Sequence, residues 1–503
     1  MLSLDADVAI LGSGFGGSLT ALILARMGIK PVLLERGSHP RFAIGESSTP
    51  IADAVLRDLA RHYDLPRLVP LAKYGTWQAS YPHLVCGLKR GFSYFQHRPD
   101  QAFAPQPRHA NELLVAASSD IALADTHWLR SDVDAFLVEE VQAAGIPYFD
   151  RSEFSLVAAQ GGWMLAGDRL GEAVNVQAQF VIDATGDAGF LCNSLGIPIH
   201  NGGLSTSARA IFGHFAGLKP WQESLRAANA NVADHPFCCD HAALHHVIDE
   251  GWMWQLRFDN DVTSAGFVLD CAEHPLDTSI SIETEWQQLL QRYPSLAAQF
   301  SDARLVAPQG GLRRTPRFQR WAKQVVGTNW ALLPNTAGFI DPLHSTGIAH
   351  TLCGIERLTH ILKEQWESPA LTGALLKYEQ AVRKEIVLID ALVSGCYLTR
   401  RSFPHFAAFA MLYFAGATTY ERRRFQTAAS FKGWFLNADD DTFCQVVHHA
   451  RARAQQLSFA GNLTESQAAE FVEEVQAALR PFNHVGLFDE SAQNMYRYTA
   501  APA

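Results

Sequence analysis

From Asp7 to Leu11 the chain reads Asp-Val-Ala-Ile-Leu, then turns through glycines, resumes as an apolar stretch through Met27 and returns as a second apolar run, Pro31 to Leu34. Short, wholly apolar runs bounded by turn residues read as buried strands of a parallel sheet, so the chain opens on a predicted βαβ unit. Ile51, Val55 and Leu59 recur at every fourth position and predict a helix. Asp132 to Ala144 predicts another, ended by Gly145. A strand from Phe180 leads into Asp183-Ala184-Thr185-Gly186. Between about residues 200 and 300 the texture becomes β-rich, as in Ala208 to Phe215 and Thr263 to Leu269; apolar strand-like sequence returns near Trp330. Beyond Gly347 the pattern is mainly helical, with Val382, Ile386, Ile389 and Val393 on one face. The expected fold is therefore α/β: a Rossmann-type domain over residues 1–363 with an inserted β-rich layer at about 200–300, followed by a mainly helical C-terminal region over 364–503.

Composition narrows the class. The 503 residues are 48% hydrophobic and 18% charged, the balance of a folded globular protein. A net charge of -10 argues against nucleic acid as a partner, since neutralising phosphates needs surplus Lys and Arg. The chain opens Met-Leu-Ser-Leu-Asp and enters a strand-like run at once, so a cytoplasmic setting with eight reduced cysteines is expected. The longest apolar stretch, Phe406 to Ala417, is too short to span a bilayer and reads as a buried or pocket-covering helix rather than an interfacial one. Cys238, Cys239, His241, His245 and His246 carry metal-ligand chemistry, but adjacent cysteines fit one tetrahedral ion poorly, and no metal is expected.

Gly12, Gly14 and Gly17 form G-x-G-x-x-G directly after a strand and before a helix. In that context the glycines permit a tight turn, backbone approach to a pyrophosphate and close helix packing, with the phosphates at the positive helix end. Glu35 closes the second strand where a ribose would lie. Two later segments favour FAD over NAD: Asp183 to Gly186, and Leu332 to Ile348, which contains Asn335. Both resemble the second and third FAD contacts of the flavin monooxygenase superfamily, which also often places an arginine near the cofactor where Arg130 stands. The bland alternative for Arg130 is a helix pair with Asp134.

Within that superfamily the chain resembles the flavin-dependent halogenases that act on tryptophan, phenols and pyrroles. Gly45-Glu46-Ser47-Ser48-Thr49-Pro50 is similar to their G-E-[SA]-x-x-P element, Gly251-Trp252-Met253-Trp254 to the start of their W-x-W-x-I-P signature, and Phe339 to Ile348 to their flavin-side, chloride-binding loop. Lys73 lies where pyrrole- and phenol-type members carry an active-site lysine. Three departures stand out: Leu256-Arg257 replaces Ile-Pro, Pro334-Asn335 replaces Gly-Asp, and His344 stands where tryptophan halogenases have a catalytic Glu.

The resemblance implies an enzyme that uses reduced FAD from a separate reductase, O2 and a halide ion to halogenate a small electron-rich aromatic, free or tethered to a carrier; a homodimer is compatible. Thr346 and Gly347 would bind halide with helix-terminal N–H groups. Lys73 would hold hypohalous acid, and as a free amine it needs its pKa lowered by desolvation. Lys89 is its rival. His344 would exchange protons near the flavin, and Trp252 and Trp254 would separate flavin from substrate. Three other readings remain: an aromatic hydroxylase, a flavin-dependent reductase of isoprenoid chains, and a non-catalytic flavin-binding protein.

Overall fold

The computed structural model describes residues 2–427, 433–459 and 465–499. The predicted βαβ start is present: the strand Leu2–Leu11, the helix Phe15–Arg26 and the strand Pro31–Leu34. Phe15 to Leu24 are all buried, which is the fate of a helix apolar on every side. Leu2–Leu11 pairs in parallel with Pro31–Leu34 and with Glu172–Asp183, which in turn pairs in parallel with Trp330–Leu332. An antiparallel pair, Ser152–Ala159 and Gly162–Arg169, extends the same sheet. The order is that of an open, doubly wound nucleotide-binding sheet.

The second sheet is broader than the segment 200–300 implied. Among the described residues it has nine strands. Its centre is the antiparallel run Ala208–Ala216, Val262–Asp270, Gly251–Arg257 and Ala243–Ile248. Gly91–Gln96 and Glu112–Ala116 then join from before this region, and Met495–Tyr496 from the far end of the chain. Between the strands lie helices that the β-rich texture did not predict, including Trp221–Ala227 and Ile282–Arg292.

Thr346–Gln365, Leu371–Thr399 and Phe403–Thr427 form the helical cover. Val382, Ile386, Ile389 and Val393 are buried as the periodicity predicts, and Phe406 to Ala417 lie buried inside the third helix. One hydrophobic core runs without a break from Ala6 through both sheets to Leu375, Phe409 and Tyr496. Among the described residues no helix is long and apolar enough to cross a membrane.

The second and third of these helices approach closely at Gly395, where an added Cβ would lie 1.9 Å from the ring of the fully buried Phe409. Gly395→Ala is therefore expected to lose about 1–3 kcal/mol of stability by overpacking. Urea denaturation should show a lowered midpoint with an unchanged slope; an unchanged midpoint would mean that the ring yields at no cost.

Candidate active site

The strand-to-helix turn builds one wall of a cavity of about 510 Å³. Gly12 has φ +93°, and a Cβ there would sit 2.7 Å from the Ala184 carbonyl oxygen. Gly14 faces the Arg130 guanidinium. Gly17 does not reach the cavity; a Cβ there would lie 1.9 Å from the Gly12 carbonyl oxygen, so only glycine lets the helix pack this closely on the turn, which is the role expected of it.

Glu35 lines the cavity, but much of its hydrogen-bonding capacity is already used. It accepts from the Ser13 N–H (2.9 Å), the Ser13 hydroxyl (3.0 Å) and the Gly37 N–H (2.8 Å), with Arg41 at 3.5 Å. Burial alone would raise its pKa; these donors and Arg41 outweigh burial and hold it below the ordinary glutamate value. Arg130 lines the cavity and also makes the expected helix pair: it forms a two-point ion pair with Asp134 (2.9 and 2.8 Å) and donates to the carbonyls of Ile44 and Gly45. Asp134 accepts from the Phe15 N–H at the helix start, so the arginine is locked to the glycine turn.

Two expected cofactor residues stand behind the wall. Asp183 is buried and accepts from the Thr185 N–H and hydroxyl and from the Leu191 N–H, so it shapes a turn whose Ala184, Thr185 and Gly186 face the cavity. Ile348 is buried in the helix Thr346–Gln365. Asn335 does line the cavity. Pro334 of the altered dipeptide packs so tightly on Gly354 that a Cβ there would lie 2.2 Å from the proline ring. With bare glycine backbone, a positive helix end and a 510 Å³ cleft, the residues present fit a dinucleotide such as FAD.

Thr346 and Gly347 open a twenty-residue helix, preceded by Ser345 at φ +52°, and the open side of Gly347 faces the Asn335 amide. The Ser345 hydroxyl bonds the Ser47 hydroxyl at 3.1 Å. Ser47 belongs to the Gly45–Pro50 element, whose end is a helix start: Thr49 is the N-cap of Pro50–His62 and Pro50 its first residue. Next in the chain, Ser48 turns the other way, and its carbonyl accepts from the Lys89 amine at 2.5 Å.

The two lysines differ in the respect that matters. Lys73 is partly exposed and donates to Asp53 (3.0 Å) and Asp125 (3.1 Å). Burial would lower its pKa, but the two carboxylates raise it well above the ordinary lysine value, the reverse of the desolvated amine expected there. Lys89 is fully buried, ends the strand Cys86–Lys89 opposite Asp125, and lies 4.1 Å from the centre of the Phe92 ring. Burial lowers its pKa to about 8, with Asp125 and Asp53 opposing the shift.

Phe92 leads into an aromatic compartment. Tyr413 and Phe414 of the third covering helix pack against it, and His245, Tyr94 and Trp252 continue the wall. The void between Phe92, Tyr413, Phe414 and Pro50 holds only about 20 Å³, room for about one water. Trp252 and Trp254 share a face as predicted, with ring centres 6.1 Å apart. His344 is buried, stacks on Tyr413 at 4.4 Å and has the Cys396 sulfur 3.7 Å from Nε2. Burial lowers its pKa to about 3, so it is neutral at working pH and does not titrate there as its residue type suggested. Asp341, which sequence reasoning passed over within the same loop, is raised by burial to about 7 and accepts from the Tyr397 hydroxyl at 2.9 Å. Tyr397 in turn accepts from Trp252.

Comparison with known proteins gives the family and the fold. The family model described as tryptophan halogenase matches residues 126–409. The chain belongs to that family. It is an enzyme, a flavin-dependent halogenase whose cofactor is FAD. It is 27% identical over 488 residues to a monodechloroaminopyrrolnitrin halogenase of Pseudomonas fluorescens, covering 92% of this chain and 83% of that one. It is likewise 27% identical to the tetracycline 7-halogenase of Kitasatospora aureofaciens over 88% and 78% of the two chains. The fold is also that of the halogenase PltM solved with phloroglucinol and FAD: TM-score 0.83 at 24% identity, over 98% of this chain and 99% of that one.

Because Arg130 joins the glycine turn to the Ile44–Gly45 carbonyls, Arg130→Lys should lose the planar fork while keeping charge. FAD affinity, followed by flavin fluorescence quenching, is expected to fall about tenfold, the equivalent of one charge-assisted hydrogen bond. Unchanged quenching would confine Arg130 to its pairing with Asp134.

Proposed function

We propose that this halogenase modifies an electron-rich aromatic through the amine of Lys89, with halide held at Thr346 and Gly347. The observation that carries the assignment is the junction at Ser47 and Ser48, which touches the helix N-terminus at Ser345 on one side and the Lys89 amine on the other. Reduced FAD, when bound, supplies with O2 the two-electron oxidation of halide to hypohalous acid. A free Lys89 amine condenses with that acid, releasing water and forming an N–halogen bond. Attack by the arene then returns the amine with the arene's proton and leaves a carbon–halogen bond. Lys73, held charged by Asp53 and Asp125, is assigned a positioning role through Asp125.

Gly12, Gly14, Glu35, Arg130 and Asn335 are assigned to FAD contacts, with Gly17, Asp183 and Ile348 supporting the turn and helix behind them. Trp252 and Trp254 partition the compartments, and neutral His344 shapes the pocket. A separate reductase as the source of reduced flavin follows the family resemblance. A free arene is the favoured substrate: the relative aligned over 92% of the chain is named for a small molecule. The Pseudomonas fluorescens relative named for a carrier-bound pyrrole aligns over 69%.

Incubation with a flavin reductase, NADH, FAD, bromide or chloride and a panel of phenols, pyrroles and indoles should yield a product with a halogen isotope pattern by mass spectrometry. Lys89→Met, close in size and better suited to burial, is expected to keep FAD binding while losing product by about two orders of magnitude. Between pH 7 and 9 the parent's product rate should rise about tenfold as an amine of pKa about 8 loses its proton. Lys73→Met leaves Asp53 and Asp125 without their shared ammonium and removes a positive charge near Lys89, so it should lower turnover without abolishing it and move that rise to higher pH. Loss of product in Lys73→Met with full activity in Lys89→Met would return the amine role to Lys73.

A further inference from the structure

We infer that His109, Glu112 and His235 form a binding site for a divalent ion of the zinc class, on the second sheet and apart from the flavin cleft. His109 ends the short turn Pro107–His109, Glu112 begins the strand Glu112–Ala116, and His235 lies in the connection before the strand Ala243–Ile248. His109 and Glu112 stand three residues apart, tertiary folding brings His235 to them, and the ligand atoms of all three lie within 4.8 Å of one another.

The arrangement is not a satisfied hydrogen-bond network. His109 Nδ1 at 3.0 Å and His235 Nε2 at 3.1 Å both crowd one carboxylate oxygen, Glu112 Oε2. The other oxygen, Oε1, is buried with no partner among the described residues, although the glutamate is wholly out of solvent. One carboxylate oxygen can accept from two imidazoles, but here that leaves both Oε1 and the buried His235 Nδ1 without a partner among the described residues. Convergence on one point with the second oxygen left over is what a central cation leaves behind, each nitrogen and oxygen moving to roughly 2 Å from it. The backbone is set for this as well: Arg108 at φ +56° and His109 at φ +53° are consecutive left-handed residues that turn the imidazole inward.

The donor set selects the ion. Two imidazoles and one carboxylate suit zinc, with water completing a tetrahedron, whereas calcium needs six to eight oxygens. Asp234 stands 3.4 Å from His109 Nε2, where an outer carboxylate orients a metal-bound imidazole. None of these residues lines the flavin cavity, so the ion is structural. What it fastens is the return of the chain end: the Asn494 amide donates to the His109 carbonyl at 3.1 Å, and Met495–Tyr496 adds a strand beside Glu112–Ala116.

The test uses the full chain, stripped with a chelator, dialysed and titrated with cobalt(II) chloride and then zinc chloride. The parent should take up one equivalent of cobalt with the visible absorption of a four-coordinate ion, zinc should displace it, and zinc should raise the melting temperature. Glu112→Gln and His235→Ala should lose the band, with FAD titration checking that each is folded. Asp234→Asn alters an exposed side chain and should keep the site with about tenfold weaker zinc affinity, as expected for an outer ligand. The inference is overturned if the stripped parent binds no more cobalt or zinc than Glu112→Gln, or if the band survives in both ligand variants, which would put the ion elsewhere.

Discussion

Two carboxylates with almost no exposed surface, Asp53 and Asp125, share one ammonium, that of Lys73. Leaving a charge buried and unpaired costs several kcal/mol, so this grouping constrains everything next to it. Burial raises the Asp53 pKa well above the ordinary aspartate value, against Lys73 and with help from Asp125, so the pair resists carrying two full charges. Lys73 is thereby committed to being a cation. Lys89, across the strand pair from Asp125, finds a backbone carbonyl and an aromatic face instead of a carboxylate, and its ammonium is disfavoured. Two lysines that look alike in sequence are thus divided into a permanent charge and a titratable amine.

The same constraint fixes where the amine lies relative to the flavin cleft. Ser48 donates its hydroxyl to Asp53 while its N–H donates to the Thr126 carbonyl, and the Trp128 N–H donates to the Glu46 carbonyl. The Gly45–Thr49 segment is therefore stitched onto the strand Asp125–Trp128 that carries the buried carboxylate. Arg130 holds the beginning of the segment through the carbonyls of Ile44 and Gly45. A shift in the carboxylate grouping would move both the serines and Arg130, which ties the small sheet of Cys86–Lys89 and Asp125–Trp128 to the glycine turn through a few hydrogen bonds.

What the sequence made legible was local or periodic. The glycine turn, the flanking strands, the four-residue spacing of Ile51, Val55 and Leu59, and the buried face at Val382 and Ile386 each depend on neighbours within one or two turns. The second sheet was only partly legible, because Gly91–Gln96, Glu112–Ala116 and Met495–Tyr496 join it over long stretches of chain. The lysine assignment failed to foresee charge state for the same reason: the partners of Lys73 stand twenty and fifty-two positions away. His344 shows a second kind of limit. Its residue type suggests titration near neutrality, but stacking on Tyr413 and complete burial remove it from that range. The histidine–glutamate cluster was not legible because His235 is far from His109 in sequence, and the sequence drew attention only to the nearby Cys238, Cys239 and their histidines, for which no metal was expected.

An enzyme that generates hypohalous acid inside itself must keep that acid from its own side chains. Thiols and indoles are consumed readily by such an oxidant. The compartment has both kinds of wall: on the helical side stand Cys396, Tyr413 and His344, with Trp252 beyond, whereas Gly45 to Thr49 offer only glycine, glutamate, hydroxyls and backbone. Lys89 is joined to the second wall through the Ser48 carbonyl, and Ser47 links that wall to the helix N-terminus at Ser345. On the proposed mechanism, a small polar oxidant following these hydrogen-bond partners would meet the amine along the inert side. The aromatic side is tightly filled, with about 20 Å³ free beside Phe92, so on the same mechanism an arene would have to displace Tyr413 and Phe414. On that mechanism, close packing would keep the arene's place and shield the buried Cys396 behind it while the place is empty.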